Sequence, residues 1–181
     1  MDSTKVVTGK VRFCYVNVFE PTAMDDNATP KYNICIIIPK SDTATVDKIN
    51  KAIEAAKQAG KAKLADKNGK IPANIKLPLR DGDIDRADDP AFENSWFINA
   101  NTLRRPSVVD RDLNPIMERE DFYSGCYGRA SINFYAFNVS SKGIAAGLNN
   151  LQKLEDGEPL AGGSTADEDF GGENAWDDEL A

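Results

Sequence analysis

The chain has 181 residues, of which 41% are hydrophobic, and this is enough for one domain with a core plus additional chain. It has three cysteines without a CxxC pair and no histidine, which excludes Ser–His and Cys–His catalysis and argues against a zinc site. No apolar run approaches the roughly 20 residues that span a bilayer, and no signal peptide is recognisable. We therefore predict a cytoplasmic protein without a membrane partner and with reduced, buried thiols.

The net charge of −7 is unevenly distributed along the chain. All 22 Lys and Arg residues lie at or before Lys153, whereas ten Asp and Glu residues and no basic residue follow position 154. The first 154 residues contain 22 basic and 19 acidic side chains and are mildly basic. This distribution predicts a body that binds a polyanion and a tail that competes for the same surface.

The first two elements in chain order are predicted to be strands. Residues 5–19 are rich in Val, Phe and Tyr and predict one long strand. In this strand Lys10 and Arg12 share one face, and Tyr15 belongs to the opposite, apolar face. Residues 31–39 predict a second strand, which follows a loop rich in Pro, Asn and Asp.

A helix is predicted next, over residues 43–59. Apolar residues recur there at spacings of three and four, with cap candidates at 41–43 and a stop at Gly60. Three lysines on this helix are interpreted as its solvated face: Lys48, Lys51 and Lys57.

The remaining body is predicted to be strand and loop. Residues 61–93 are interpreted as mostly loop, with a short extended piece at 74–79. The later strands are predicted at 95–100, 106–110, 125–138 and 142–154. The body is therefore all-β with one inserted helix, a small barrel or a sandwich, and periodicity alone does not choose between them. From Asp156 onward the Gly, Asp and Glu content predicts disorder.

The strand at 125–138 separates two chemically different faces, because side chains alternate along a strand. One face is small and apolar and is predicted to lie in the core: Cys126, Gly128, Ala130, Ile132, Phe134 and Ala136. The other carries rings, a cation and polar groups: Tyr127, Arg129, Ser131, Asn133, Tyr135 and Phe137. Single-stranded nucleic acid needs this combination, since bases stack on rings and phosphates pair with cations. The alternative is that the three rings pack under another layer of the protein.

The acidic stretch at 79–90 raises the alternative of a metal site. Asp81, Asp83 and Asp85 resemble a calcium loop, but the sixth and twelfth positions hold Arg86 and Phe92 where Gly and Glu are required. We interpret the stretch as an acidic turn and predict no catalytic residue, metal or cofactor. A magnesium-dependent nuclease that uses the three aspartates is the enzymatic alternative.

The last fifteen residues, "DEDFGGENAWDDELA", combine seven carboxylates with two rings. Such a tail can cover a basic groove, and its apolar side chains can dock in a pocket on a partner. The residues predicted to bind this partner are Phe170, Trp176, Asp177, Asp178 and Glu179. The alternatives are a solubility tail, or an adaptor whose body never contacts nucleic acid.

Several segments resemble the single-stranded DNA-binding proteins of a family of tailed bacteriophages: "RPSVVDRDLNPI", "DFYSGCYGRASINFYAFN" and "KGIAAGLNNLQKLEDGEPL", with "PLRDGD" and the acidic end. The resemblance implies an OB-fold barrel over residues 1–155 and a disordered acidic tail over 156–181. It also implies binding of single-stranded DNA in phage replication, recombination and repair, without catalysis. The tail would contact phage or host replication proteins, and a homodimer is left open. The DNA-binding role is assigned to Tyr127, Arg129, Asn133, Tyr135 and Phe137, with support from Lys10, Arg12, Arg104 and Arg105.

Overall fold

The fold is described from a computed structural model, which covers residues 3–23, 27–139 and 141–160. The predicted partner-binding residues of the tail, from Phe170 to Glu179, lie outside the described residues. No helix in the described ranges is long and apolar enough to cross a membrane.

The described residues form eight strands and three α-helices. The strands are β1 (Lys5–Val7), β2 (Val11–Thr22), β3 (Lys31–Pro39), β4 (Arg80–Asp81), β5 (Ser95–Thr102), β6 (Ser107–Val109), β7 (Tyr127–Val139) and β8 (Ser141–Glu155). The helices are α1 (Thr43–Ala59), α2 (Lys61–Leu64) and α3 (Gly82–Asp85).

Five strands close into a barrel in the order β7, β2, β3, β5, β8 and back to β7. The β5–β8 contact is parallel, whereas the other four contacts are antiparallel. Strand β1 extends the sheet beside β7, β6 lies beside β8, and β4 pairs with β5. Closure decides between the two predicted architectures: the body is a barrel, and the prediction of an OB-fold-like barrel with one inserted long helix is confirmed.

The core fills the barrel and is closed by α1. Phe13, Ile36 and Ile132 are completely buried inside the barrel, and α1 adds Ile49. The predicted bounds of α1 are confirmed, and the side chain of Asp42 caps it by accepting a hydrogen bond from the Thr45 amide at 3.2 Å.

Glycine is required at Gly60, where α1 ends against β7. A Cβ atom at this position would lie 2.2 Å from the Cβ of Ala136. The absence of a side chain therefore allows the end of the helix to approach the strand closely.

The prediction of one continuous strand over residues 5–19 is wrong. The chain breaks at Thr8, whose buried hydroxyl accepts a hydrogen bond from the Ala130 amide at 3.0 Å. The Gly9 amide then donates to the hydroxyl of Thr45 at 2.9 Å. These bonds fix the break between β1 and β2 against β7 and α1.

The prediction that Tyr15 belongs to the apolar face of its strand is also wrong. Cys14 is opposite Cys35, but the next pair is Asn17 with Asn33, so β2 has one extra residue. Tyr15 has a left-handed backbone with φ of 47° at this β-bulge. Its side chain is consequently 42% exposed instead of packed with the core.

Residues 61–93 contain more regular structure than predicted. They include α2, β4, α3 and a 3₁₀ turn at Pro90–Phe92. The extended piece predicted at 74–79 is reduced to one bridge, between Lys76 and Gly143. These elements are too short to show the periodicity of a helix or strand.

Candidate nucleic-acid interface

The two faces predicted for β7 are observed in the structure. Ala130, Ile132 and Phe134 are buried in the core. The opposite face points outward, and Tyr135 on it is 42% exposed. Phe137 is half-buried, because Gly143 on β8 lies against its ring. The alternative that all three rings of this face are sealed under another layer is therefore wrong for Tyr135.

Polar side chains form a row around the outside of the barrel. The strand registers pair Asn17 with Asn33, Asn33 with Asn101, Asn101 with Gly147, and Gly147 with Asn133. The amide Nδ2 of Asn17 donates to Oδ1 of Asn33 at 3.0 Å. Five strands thus contribute to one continuous surface, which consists of amides and a glycine.

An exposed tyrosine lies at each end of this surface. Tyr15 is on β2 and Tyr135 is on β7, opposite the small residue Ala145 of β8. β2 and β7 pair directly only near Arg12 and Tyr127. The path between them around the outside of the barrel, by way of β3, β5 and β8, is four strand spacings, or about 19 Å. We call this surface the polar face and define it by these residues: Tyr15, Asn17, Asn33, Asn99, Asn101, Asn133, Tyr135, Ala145 and Gly147.

A cavity of about 540 Å³ opens on the polar face between β2, β3 and β5. Its lining includes Tyr15, Asn33, Asn99 and Asn101 together with the exposed cation Lys31. This volume lies within the range of small-ligand pockets. Aromatic, amide and cationic groups thus converge on one open site.

Arg86 adds a second cation at the Tyr15 end. Its guanidinium carbon lies 6.0 Å from the ring centroid of Tyr15 and 5.8 Å from that of Phe97. Among the described residues it has no ion-pair partner, so its charge is available to an anion. Burial raises the pKa of the Cys35 thiol below it to about 12, and this part of the surface therefore carries no thiolate at neutral pH.

Three predicted binding residues lie elsewhere and already have partners. Lys10 forms an ion pair with Glu155, and Arg12 donates to the carbonyl oxygens of Gly125 at 3.1 Å and Glu158 at 2.7 Å. Both cations lie 5.2 Å from the ring centroid of Tyr127, which is between them. The structure therefore does not bring Lys10, Arg12 and Tyr127 together with the polar face.

The other predicted cations lie at the margins of the polar face. Arg129 follows β7 away from Asn133 and donates to the carbonyl oxygen of Thr8 at 2.9 Å. Arg104 and Arg105 are exposed just beyond the end of β5, and Arg105 lies 5.7 Å from the ring centroid of Phe19.

The segment 156–160, predicted as the start of a disordered tail, contacts the barrel. The hydroxyl of Tyr123 donates to Asp156, and the Leu160 amide donates to the carbonyl oxygen of Ser124 at 2.8 Å. Hydrogen bonds from Lys153 and Tyr123 hold the pKa of Asp156 below its ordinary value. Leu160 packs against a small cluster that includes Cys35 and underlies the Tyr15 end of the polar face. The described chain therefore ends beside this surface.

The three aspartates of the acidic turn have structural partners. Lys40 contacts Asp81 and Asp83 at 2.8 Å each, and Arg80 contacts Asp85 at 3.1 Å. Asp81 also caps α3 by accepting from the Asp83 amide. Within the described ranges, no three His, Cys, Asp or Glu side chains are grouped to hold a metal ion. The carboxylates are thus used to fix the turn.

Comparison with known proteins identifies the family. Residues 4–181 match the family model described as Enterobacter phage Enc34, ssDNA-binding protein. The chain belongs to the Enc34 ssDNA-binding protein family. A curated relative, protein p50 of Acyrthosiphon pisum secondary endosymbiont phage 1, is 30% identical over 166 residues and covers 90% of this chain and 89% of its own length.

Solved structures agree with this assignment to the Enc34 family. The Enc34 protein in complex with ssDNA superposes with a TM-score of 0.76 at 28% identity, covering 87% of this chain and 90% of its own. The ssDNA-binding protein gp2.5 of bacteriophage T7 has a TM-score of 0.61 at 14% identity, with 91% and 99% coverage. At that identity, gp2.5 supports the fold alone.

Of the nine residues that define the polar face, only Asn133 and Tyr135 were predicted from the sequence to bind DNA. Tyr15 was hidden by the bulge, and Asn33 by the nearly continuous apolar run of β3. Asn99 and Asn101 could have been found, because they alternate with the buried Ile98 and Ala100 in β5. No sequence pattern around Arg86 indicated that it lies beside Tyr15, since it follows the short helix α3 in a turn.

Proposed function

We propose that this chain binds single-stranded DNA without cleaving it, and that the polar face is its DNA-binding surface. The observation that carries the proposal is the pair of exposed rings, Tyr15 and Tyr135, at the two ends of one uncharged amide surface. Bases stack on such rings whatever their sequence, because every base has a π-face. The relative whose structure contains ssDNA has the same barrel.

The polar face suits a single strand in its shape and charge. The small residues Ala145 and Gly147 of β8, next to the Tyr135 end, leave this part of the surface free of large side chains, so a flexible chain can cross it. The residues that define the face include no carboxylate, and the cations Lys31 and Arg86 lie at one end. Arg104, Arg105 and Arg129 at the margins supply further positive charge for phosphates. Asn133 and Tyr135 from the predicted set remain in the proposed site, whereas Lys10, Arg12 and Tyr127 do not.

A titration of labelled oligo-dT tests this proposal. We expect tight binding at low salt, and a logarithm of affinity that falls by about 0.7 per neutralised phosphate for each logarithmic unit of salt. Tyr135→Ala should weaken binding by about fivefold or more. Leu113→Ala, which truncates a more exposed apolar side chain in the loop after β6, is the control and should bind like the native chain. If the native chain does not bind at low salt, the protein is an adaptor and the proposal is wrong.

The proposal includes competition between the acidic tail and DNA. Ten carboxylates follow residue 154, and Leu160 packs beneath the Tyr15 end of the polar face. The tail therefore starts next to the proposed DNA surface and can screen its cations. A chain that ends at Leu160 should bind oligo-dT more tightly than the full chain, most clearly at low salt. Unchanged or weaker binding would reject the competition. The chain is truncated after Leu160, and not after Glu155, because residues 156–160 contact the barrel.

The displaced tail would then recruit a partner in the cytoplasm of the infected cell. Phe170 and Trp176 are suited to an apolar pocket, and Asp177 to Glu179 to basic residues at its rim. The partner class is a phage or host protein of DNA replication, recombination or repair. A synthetic peptide of residues 161–181 should capture such a protein, and a peptide with both rings changed to Ala should not. Equal capture by both peptides would contradict this role.

A further inference from the structure

A segment outside the polar face carries an unusual excess of positive charge. Residues 61–76 contain five lysines and one acidic residue, Asp66. All five side chains are exposed, and none has an ion-pair partner among the described residues. We call this stretch the lysine segment and define it by its lysines: Lys61, Lys63, Lys67, Lys70 and Lys76.

The one carboxylate of the lysine segment is occupied by the backbone. Oδ1 of Asp66 accepts from the amides of Asn68 at 2.8 Å and Lys70 at 3.1 Å. The Asp66 amide donates to the carbonyl oxygen of Lys70 at 2.7 Å, and Gly69 completes the turn with φ of 77°. The turn is therefore closed by its own hydrogen bonds and presents Lys67 and Lys70 at its tip.

The lysine segment is fixed to the barrel next to the polar face. The Lys76 amide donates to the carbonyl oxygen of Lys142 at 3.0 Å, and the Ile144 amide donates to that of Lys76 at 2.9 Å. The ammonium of Lys142 also bonds the carbonyl oxygen of Ala65 at 3.1 Å. The next residue of β8, Ala145, already belongs to the polar face opposite Tyr135. A strand that leaves the polar face past Tyr135 and Ala145 on the β8 side thus reaches the lysine segment.

A merely solvated surface is the simpler interpretation of exposed lysines, but two features argue against it here. On α1 three lysines are balanced by two acidic residues, one of which, Glu54, pairs with Lys57 at 2.9 Å, whereas the five lysines of the lysine segment are balanced only by Asp66. The turn of this segment is also held rigid and attached to the edge of the polar face. Uncompensated, fixed positive charge that continues a nucleic-acid surface is suited to phosphates.

We infer that the lysine segment binds phosphates of the single strand beyond Tyr135, so that the DNA-binding site is longer than the polar face. This inference rests on the proposed function. The ligand is the phosphodiester backbone, and these contacts add affinity and salt dependence without reading the sequence.

The test compares two oligomers and two double variants of the full chain. One oligo-dT of about 6 nucleotides covers the polar face alone, and one of about 20 nucleotides also reaches the lysine segment. Lys67→Gln/Lys70→Gln removes two charges from the tip of the turn. Lys48→Gln/Lys51→Gln removes two exposed charges from α1 and is the control, since Lys48 lies about 18 Å along the helix from Gly60.

We expect Lys67→Gln/Lys70→Gln to weaken binding of the long oligomer about fivefold at low salt. The slope of the logarithm of affinity against the logarithm of salt concentration should become shallower by about 1.4 for this oligomer. Binding of the short oligomer should not change, and the control should match the native chain for both oligomers. Equal losses for both oligomers, an equal loss in the control, or no loss at all would overturn the inference. The double variant could instead bind DNA more tightly than the native chain. If this gain disappeared when both chains end at Leu160, the lysines would hold the tail and not the DNA. Failure of the native chain to bind even the short oligomer would reject the proposed function itself.

Discussion

Replacing Tyr15 separates its role in binding from its role in stability. Its ring is 42% exposed on the polar face, and the residue has φ of 47°. A base stacked on an aromatic ring contributes about 1–3 kcal/mol. Tyr15→Ala and Tyr15→Gly should therefore each weaken binding of oligo-dT by about 5- to 150-fold.

The same two variants should differ in stability. A left-handed backbone costs a residue other than glycine about 1–2 kcal/mol, and this strain remains in the alanine variant. Glycine relieves it but loses about 0.5–1 kcal/mol through the entropy of the unfolded chain. The free energy of unfolding should consequently be equal or higher, by up to about 1.5 kcal/mol, for Tyr15→Gly than for Tyr15→Ala.

Fluorescence anisotropy at one fixed salt concentration measures the binding of the two Tyr15 variants, and urea unfolding measures their stability. We expect equal binding losses for the two variants, and a free energy of unfolding for Tyr15→Gly that equals or exceeds that of Tyr15→Ala. This expectation would be refuted if Tyr15→Ala bound like the native chain. It would also be refuted if affinity followed the order of stability, because the loss would then reflect unfolding instead of a missing stack.

Three further predictions concern packing, pH and catalysis. Gly60→Ala places a methyl group 2.2 Å from the Cβ of Ala136 and should lower the free energy of unfolding in urea by about 2 kcal/mol; an unchanged value would contradict the tight contact. Hydrogen bonds from Lys40 hold the pKa of Asp83 below 3.8, so this carboxylate stabilises the fold above that pH and ceases to do so as the pH falls through the lowered pKa. Asp83→Asn should therefore be less stable than the native chain near neutral pH, and this difference should shrink as the pH falls below 3.8, whereas a difference that stays constant with pH would refute this coupling. Labelled single-stranded DNA should keep its length when incubated with the protein and magnesium or manganese, and shortening would favour a nuclease.

The parts of the fold that follow from local patterns could be predicted from the sequence. The helix at 43–59 and the strand at 31–39 have the predicted bounds, because spacing and caps specify them. The alternation in β7 predicted the division between buried Phe134 and exposed Tyr135, since period two fixes the side of a strand.

The parts that depend on neighbouring strands could not be predicted. The bulge that turns Tyr15 outward is a shift in the register between β2 and β3. No pattern within the sequence of β2 predicts this shift. The engagement of Arg12 by the carbonyl oxygen of Glu158 depends on the chain after β8 continuing alongside Ser124 and Gly125. The row from Asn17 to Asn133 exists because the barrel closes, and periodicity left barrel and sandwich undecided.

Mapping the contacts of bound DNA tests most directly whether the polar face takes the strand. An oligomer that contains iododeoxyuridine can be cross-linked by light to the full chain, and mass spectrometry then locates the modified residues. The account predicts cross-links at Tyr15 and Tyr135. Cross-links confined to Tyr123 and Tyr127, with both polar-face tyrosines unmodified, would contradict it.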